Sequence, residues 1–134
     1  MARRVLVVDD HQPTVQLIRS ALEGMGLDVR AAGNGAEALL AVHEEKPDLV
    51  ILDVMMPILD GFQTLKVLQE TADTRDLPVI MLTARSSDID VARGWRSGAT
   101  SYLTKPFSLD QLVSMVRRVL EAITPVGASA EEPE

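Results

Sequence analysis

The 134 residues are 46% hydrophobic and 25% charged, the balance of one globular domain with a real core. There is no cysteine and there are only two histidines, which excludes disulfides, thiolate chemistry and a histidine-built metal centre. A net charge of −7 argues against a basic phosphate-binding face, so nucleic acid is not expected as a direct partner, whereas a cation is compatible.

The chain begins with basic residues and then Val5–Val8, an apolar run of four. That run is too short for a signal peptide or a membrane span, so the expected compartment is the cytoplasm, with no membrane contact. It reads as a strand buried on both faces. It ends in two adjacent acids, Asp9 and Asp10, which repel each other unless something cationic compensates them. A first amphipathic stretch follows, with Val15, Ile18, Leu22 and Met25 on one face and Gly24 and Gly26 at its end.

Leu27–Ala31 is a weaker strand. Ala36–Glu45 is a second helix, stopped by Pro47. Asp48–Leu52 is a strong aliphatic strand that runs into Asp53. Gly61–Glu70 is a third helix with Phe62, Leu65 and Leu68 facing inward. Pro78–Leu82 is a fourth strand, followed by Thr83 and Ala84. A fourth helix is expected over roughly Ser87–Ser97. Ser101–Leu103 is a fifth strand, and Lys105-Pro106 follows it. Ser108–Ala122 is a fifth helix, opened by a capping box from Ser108 to Gln111.

Five strands alternating with five helices predict a parallel sheet covered on both faces, a doubly wound α/β fold. The domain is expected over 1–122. Residues 123–134 are small, acidic and Pro-containing, and read as a disordered tail or a severed linker.

In such a sheet, ligands bind beyond the carboxyl ends of the strands. Reading only those positions gathers Asp9, Asp10, Asp53, Thr83 and Lys105. Taken singly, each has a plain explanation. The acid pair could cap a turn, Asp53 could be a loop acid, Lys105 a solvated lysine and Thr83 a helix cap. Taken together they form a site of three carboxylates, one hydroxyl and one ammonium. Carboxylate oxygens without His or Cys favour a hard cation, and Mg2+ suits one or two carboxylates, waters and a phosphate. A carboxylate beside Mg2+ and Lys can act as a nucleophile toward phosphorus, giving an aspartyl phosphate.

These residues and the motifs "LDVMMPILDG", "PVIMLTA" and "SYLTKPF" resemble the receiver domain of bacterial two-component response regulators, the CheY-like fold, over about residues 3–122. The resemblance implies strand order 2-1-3-4-5 and Asp53 as phosphoacceptor. It implies Mg2+ held by Asp10, Asp53 and the backbone carbonyl of Met55, with Asp9 reaching the metal through water. It implies Lys105 on the phosphoryl group, Thr83 as switch hydroxyl and Tyr102 as switch aromatic. The Lys105–Pro106 peptide would be cis.

The phosphodonor would be a sensor histidine kinase or a phosphotransfer protein. Output would come from a changed face of the fourth helix, fifth strand and fifth helix, binding a downstream protein. Such a domain is a phosphoacceptor that assists only its own phosphorylation and dephosphorylation, not an enzyme with a separate substrate. The resemblance also implies that the side chains two after the phosphoacceptor and two after the switch Thr, here Met55 and Arg85, influence the attacking water; neither accepts a proton from it, which predicts a long-lived phosphoprotein.

Three rivals bear on the same residues. An Mg2+-dependent aspartyl-phosphate phosphohydrolase would need an acid–base aspartate two residues after the nucleophile, where Met55 stands, and a substrate cap for which the chain has no room. A degenerate interaction module is disfavoured by the intact five residues. Gly33–Ala38 mimics a dinucleotide fingerprint, but the acids after the first strand would repel a pyrophosphate. Asn34 and Glu37 as a helix cap suffice there. His11 and His43 are expected as solvent-facing helix residues.

The motifs "TAR" and "YLTKPF" also resemble the winged-helix transcription-factor branch, whose receivers pair through ion pairs on the output face. The positions commonly acidic and basic there are Thr100, Ser101 and Met115 here. A monomer is therefore expected, most simply a stand-alone receiver. The alternative is the receiver of a DNA-binding regulator whose effector domain is missing.

Overall fold

The computed structural model describes residues 3–84 and 98–123. The aliphatic runs fold as five strands, β1 (Arg4–Val8), β2 (Asp28–Ala32), β3 (Leu49–Asp53), β4 (Val79–Ala84) and β5 (Ser101–Lys105). They form one parallel sheet in the order β2-β1-β3-β4-β5. Helices α1 (Gln12–Glu23), α2 (Gly35–Glu44) and α3 (Gly61–Glu70) follow the first three strands, and a terminal helix spans Leu109–Ile123. The expected fourth helix, Arg85 and the tail from residue 124 lie outside the described residues.

Alternation along each strand sends successive side chains to opposite faces. Val5, Val7, Leu49, Ile51, Ile80 and Leu82 pack against α1 and the terminal helix through Val15, Ile18, Leu22, Leu112 and Val116. Leu6, Val8, Val50, Leu52 and Met81 pack against α2 and α3 through Ala38, Val42, Phe62, Leu65 and Leu68. Both sheet faces are thus covered, which explains why the strands read as unbroken aliphatic runs. Each fully buried aliphatic side chain contributes about 1.5–3 kcal/mol through its removal from water.

The helix starts follow local chemistry. Asn34 Oδ1 accepts from the Glu37 backbone N–H at 2.9 Å, and Glu37 Oε1 accepts from the Gly33 N–H at 2.8 Å. Ser108 and Gln111 form a reciprocal capping box: the Gln111 N–H donates to Ser108 Oγ at 3.1 Å and the Ser108 N–H donates to Gln111 Oε1 at 2.9 Å. A second box at Asp60 and Gln63 opens α3, where the sequence reading marked only the helix. His11 is exposed as expected, but it precedes α1 as its N-cap instead of lying within it, because Pro13 sits at the first turn of the helix. The terminal helix runs one residue past the expected domain end, to Ile123.

Candidate functional site

The strand register sets the site. Val8 pairs with Leu52, Asp53 with Leu82, Thr83 with Thr104 and Ala84 with Lys105. The carboxyl ends of four strands therefore stand side by side: Asp9 and Asp53 share one level, Thr83 stands one residue beyond it on β4 and Lys105 two residues beyond it on β5.

Asp9 follows β1 directly and is fully buried. Its backbone N–H donates to the Ala32 carbonyl at 3.1 Å, which fixes the chain against β2. Its Oδ1 accepts from the His11 backbone N–H at 3.0 Å, and its Oδ2 accepts from Lys105 Nζ at 3.1 Å. Asp10, one residue on, is exposed at the mouth. Asp53 ends β3 with only 5% of its surface exposed, and Lys105 Nζ lies 3.3 Å from its Oδ1. One oxygen from each of Asp9, Asp10 and Asp53 lies within 4.8 Å of the others.

Among the described residues, three carboxylates gather around one ammonium, which pairs with Asp9 and Asp53, so this group carries excess negative charge. Burial, and then the Asp9 charge, raise the Asp53 carboxyl from 3.8 to about 6, although Lys105 opposes the rise. Burial would lower the Lys105 ammonium, but Asp53 and Asp9 outweigh it and hold it above its ordinary value. The donor set is all oxygen, anionic and under-compensated, which fits a hard divalent cation. The arrangement presents a carboxylate with an adjacent cationic donor to any electrophile entering from the mouth.

The other expected residues stand nearby in the fold. Thr83 is buried at the end of β4. Tyr102 is half-buried on β5 and packs against the α2/α3 side of the core. The Lys105–Pro106 peptide is cis. Met55 follows β3 with its side chain exposed. The structure thus brings Asp9, Asp10 and Asp53 together and sets Lys105 against Asp9 and Asp53.

Sequence reasoning missed the backbone partners, the Ala32 carbonyl and the His11 N–H, because such groups leave no residue-type signal. It also missed Ile58, which has φ 70 in the loop after β3. A β-branched residue rarely adopts that conformation. Pro57 is a turn residue by type, but it does not tell which neighbour turns left-handed.

Comparison with known proteins agrees with this geometry. The family model of the response regulator receiver domain matches residues 5–117. The phosphate regulon transcriptional regulatory protein PhoB of Klebsiella pneumoniae is 42% identical over 127 residues, 95% of this chain. The chain spans 56% of that relative's length. The chemotaxis protein CheY4 of Vibrio cholerae superposes with a TM-score of 0.83 at 33% identity, covering 89% of this chain and 99% of that one. The receiver domain of a sensor histidine kinase from Pseudomonas aeruginosa, solved with magnesium in its active-site cleft, superposes with a TM-score of 0.83. It is 25% identical and covers 90% of this chain and 99% of its own. The chain belongs to the response regulator receiver domain family.

Proposed function

We propose that this chain is a phosphorylation switch of a two-component pathway, with Asp53 as the phosphoacceptor. One observation carries the reading: Asp53 stands at the end of β3 within 3.3 Å of Lys105 and in one group with Asp9 and Asp10. A sensor histidine kinase or phosphotransfer protein supplies the phosphoryl group from a phosphohistidine. An Asp53 carboxylate oxygen bonds to phosphorus as the P–N bond breaks; the bonding pair stays on that ring nitrogen, and the proton already on the other ring nitrogen makes the leaving group neutral imidazole.

Asp10, Asp53 and the Met55 carbonyl would hold Mg2+, with Asp9 reaching it through water. The magnesium-containing relative and the under-compensated charge of this cluster support that assignment. When bound, the cation neutralises charge on the carboxylates and on the phosphoryl oxygens. Lys105 orients the Asp53 carboxylate before transfer and donates to a phosphoryl oxygen after it. Thr83 donates to a second phosphoryl oxygen from the neighbouring strand, and Tyr102 follows it inward. Two states of one packed core then differ in the face they present. The domain turns over no separate substrate. Met55, two residues after Asp53, has no acid–base group, which weighs against a phosphohydrolase.

Output passes to a downstream protein through the face of β5 and the terminal helix. Thr100 and Ser101 are neutral there, and Thr100 is committed to Val79 by hydrogen bonds of 3.1 and 2.9 Å. Met115 packs against the core and offers an apolar contact. Those features support a monomer. A second reading, the receiver of a transcriptional regulator with a further domain, is compatible with the relative's name. No described helix is long and apolar enough to cross a membrane, and a cytoplasmic site of action is part of the proposal.

The test is incubation with Mg2+ and a small acyl phosphate, followed by intact mass. One phosphoryl group should be added, and none to Asp53→Asn. Labelling of that variant at the wild-type level would defeat the assignment.

A further inference from the structure

The loop from Val54 to Asp60 carries Met55 and is pinned at three points. Val54 donates to the Leu82 carbonyl at 2.9 Å, and Gly61 donates back to the Val54 carbonyl at 2.9 Å, closing the loop on itself. The third point lies on a different element. The Gly35 N–H, at the first residue of α2, donates to the Leu59 carbonyl at 3.2 Å. Gly35 is buried, and the approach is closer than any side chain allows. A Cβ there would lie 2.5 Å from the Leu59 carbonyl oxygen and 2.1 Å from Thr64 Oγ1 on α3. Real Cβ contacts essentially never fall below 3.0 Å, so one of these partners would have to move.

Between the pins the backbone is strained. Leu59 donates to the Pro57 carbonyl at 2.8 Å, closing a three-residue turn around Ile58 at φ 70. Such a turn around a β-branched residue persists only when its surroundings over-determine it. Leu59 is the next residue, and its carbonyl is the group that Gly35 holds. Ile58 is 79% exposed, so no packing of its own side chain holds the turn.

We infer that Gly35 is a positioning residue for the cation site, setting the height of the Met55 loop through the Leu59 carbonyl. It is remote from the acids in sequence and makes no contact with the cation itself. This rests on the proposal that the Met55 carbonyl binds Mg2+. Gly61 cannot play a separable part, because a Cβ there would meet Asp53 and Val54 backbone at 2.4 and 2.8 Å and disturb the phosphoacceptor directly.

The two clashes at Gly35 can be separated. In Gly35→Ala both partners are displaced. In Gly35→Ala with Thr64→Ala the contact with α3 is removed, while the clash with the Leu59 carbonyl remains. Calorimetric titration with Mg2+ and thermal unfolding without it are measured on the full chain. Gly35→Ala should bind Mg2+ about tenfold more weakly, the effect expected for groups that orient a metal's ligands. The double variant should recover most of the lost thermal stability yet stay about tenfold weaker for Mg2+. Thr64→Ala alone should bind as the wild type does. Mg2+ affinity that is unchanged in Gly35→Ala, or that returns together with stability in the double variant, would overturn the inference. Failure of the underlying reading looks different: the wild type itself would then bind no Mg2+, or bind it equally well after Asp10→Ala.

Discussion

The acid pocket and the outer face of β5 lie a few residues apart on the same sheet, and they are built on opposite plans. In the pocket, the Asp9 and Asp53 carboxylates are buried and tied to one lysine. Asp9 is fully buried yet accepts from a backbone N–H and from Lys105, and Lys105 reaches Asp53 as well. At the start of β5, Thr100, Ser101 and Tyr102 are neutral and partly exposed, and Met115 is half-buried against them. Ionic contacts gain strength out of water and lose most of it at the surface. The contrast teaches where electrostatics can set geometry and where it can only tune partner choice. Changes in the pocket should be large and should depend on pH and cation. Changes on the β5 face should be small and should read out as association.

The largest effect is expected from Lys105→Met. It removes the side-chain cation that pairs with two buried carboxylates. Breaking one side of a buried pair costs about 3–5 kcal/mol, and the part-exposed lysine places this one at the lower end. Chemical denaturation without Mg2+ would read it, and a loss under about 1 kcal/mol would break the comparison.

Next is the pH dependence of the cation-free protein. The Asp53 carboxyl is raised from 3.8 to about 6 in the fold. The unfolded chain therefore holds fewer protons than the fold between those values, and stability should fall as pH rises from about 4 to about 6, then level off. The full difference corresponds to no more than about 3 kcal/mol, and water at the mouth reduces it. Asp53→Asn should abolish this slope and raise stability at neutral pH. Mg2+ should flatten the slope in the wild type. Lys105 is also shifted upward, but for a base that shift is stabilising, so its stabilisation is complete below its unfolded value of 10.5 and is lost only as pH rises above it. A stability that rises between pH 4 and 6 without Mg2+ would contradict the charge balance drawn for the pocket.

The smallest effects belong to the β5 face. Thr100→Glu, Ser101→Glu and Met115→Arg together supply the charges that pair related receivers. Each surface ion pair contributes about 0–1 kcal/mol. Sedimentation with beryllofluoride and Mg2+ should find the wild type monomeric and the triple variant self-associated. A wild-type dimer under those conditions would place the output face in the same class as that of the transcription-factor branch.

Much of this was legible in the sequence, for a physical reason. Strands buried on both faces must be aliphatic throughout, so β1, β3 and β4 stood out to within a residue or two. The parallel fold then fixed which residues meet at the strand ends, and Asp9, Asp53 and Lys105 do meet. The α3 boundaries, Gly61 and Glu70, followed from the apolar spacing of Phe62, Leu65 and Leu68. Backbone groups were not legible. The Ala32 carbonyl, the His11 N–H and the Leu59 carbonyl hold the site, yet any residue type could supply them. The role of Gly35 beside the Asn34 cap was not legible, because nothing local says that a carbonyl 24 positions away comes to rest against it. Ile58 was not legible either, since its left-handed conformation is imposed by its neighbours against its own preference.

The central claim is that Asp53 and no other carboxylate takes the phosphoryl group. It is tested most directly by phosphorylating the wild-type protein with an acyl phosphate and Mg2+, reducing the acyl phosphate with borohydride and mapping the peptides. The account predicts conversion of Asp53 to homoserine, with Asp9 and Asp10 unmodified. Homoserine at Asp9 or Asp10, with Asp53 intact, would contradict it.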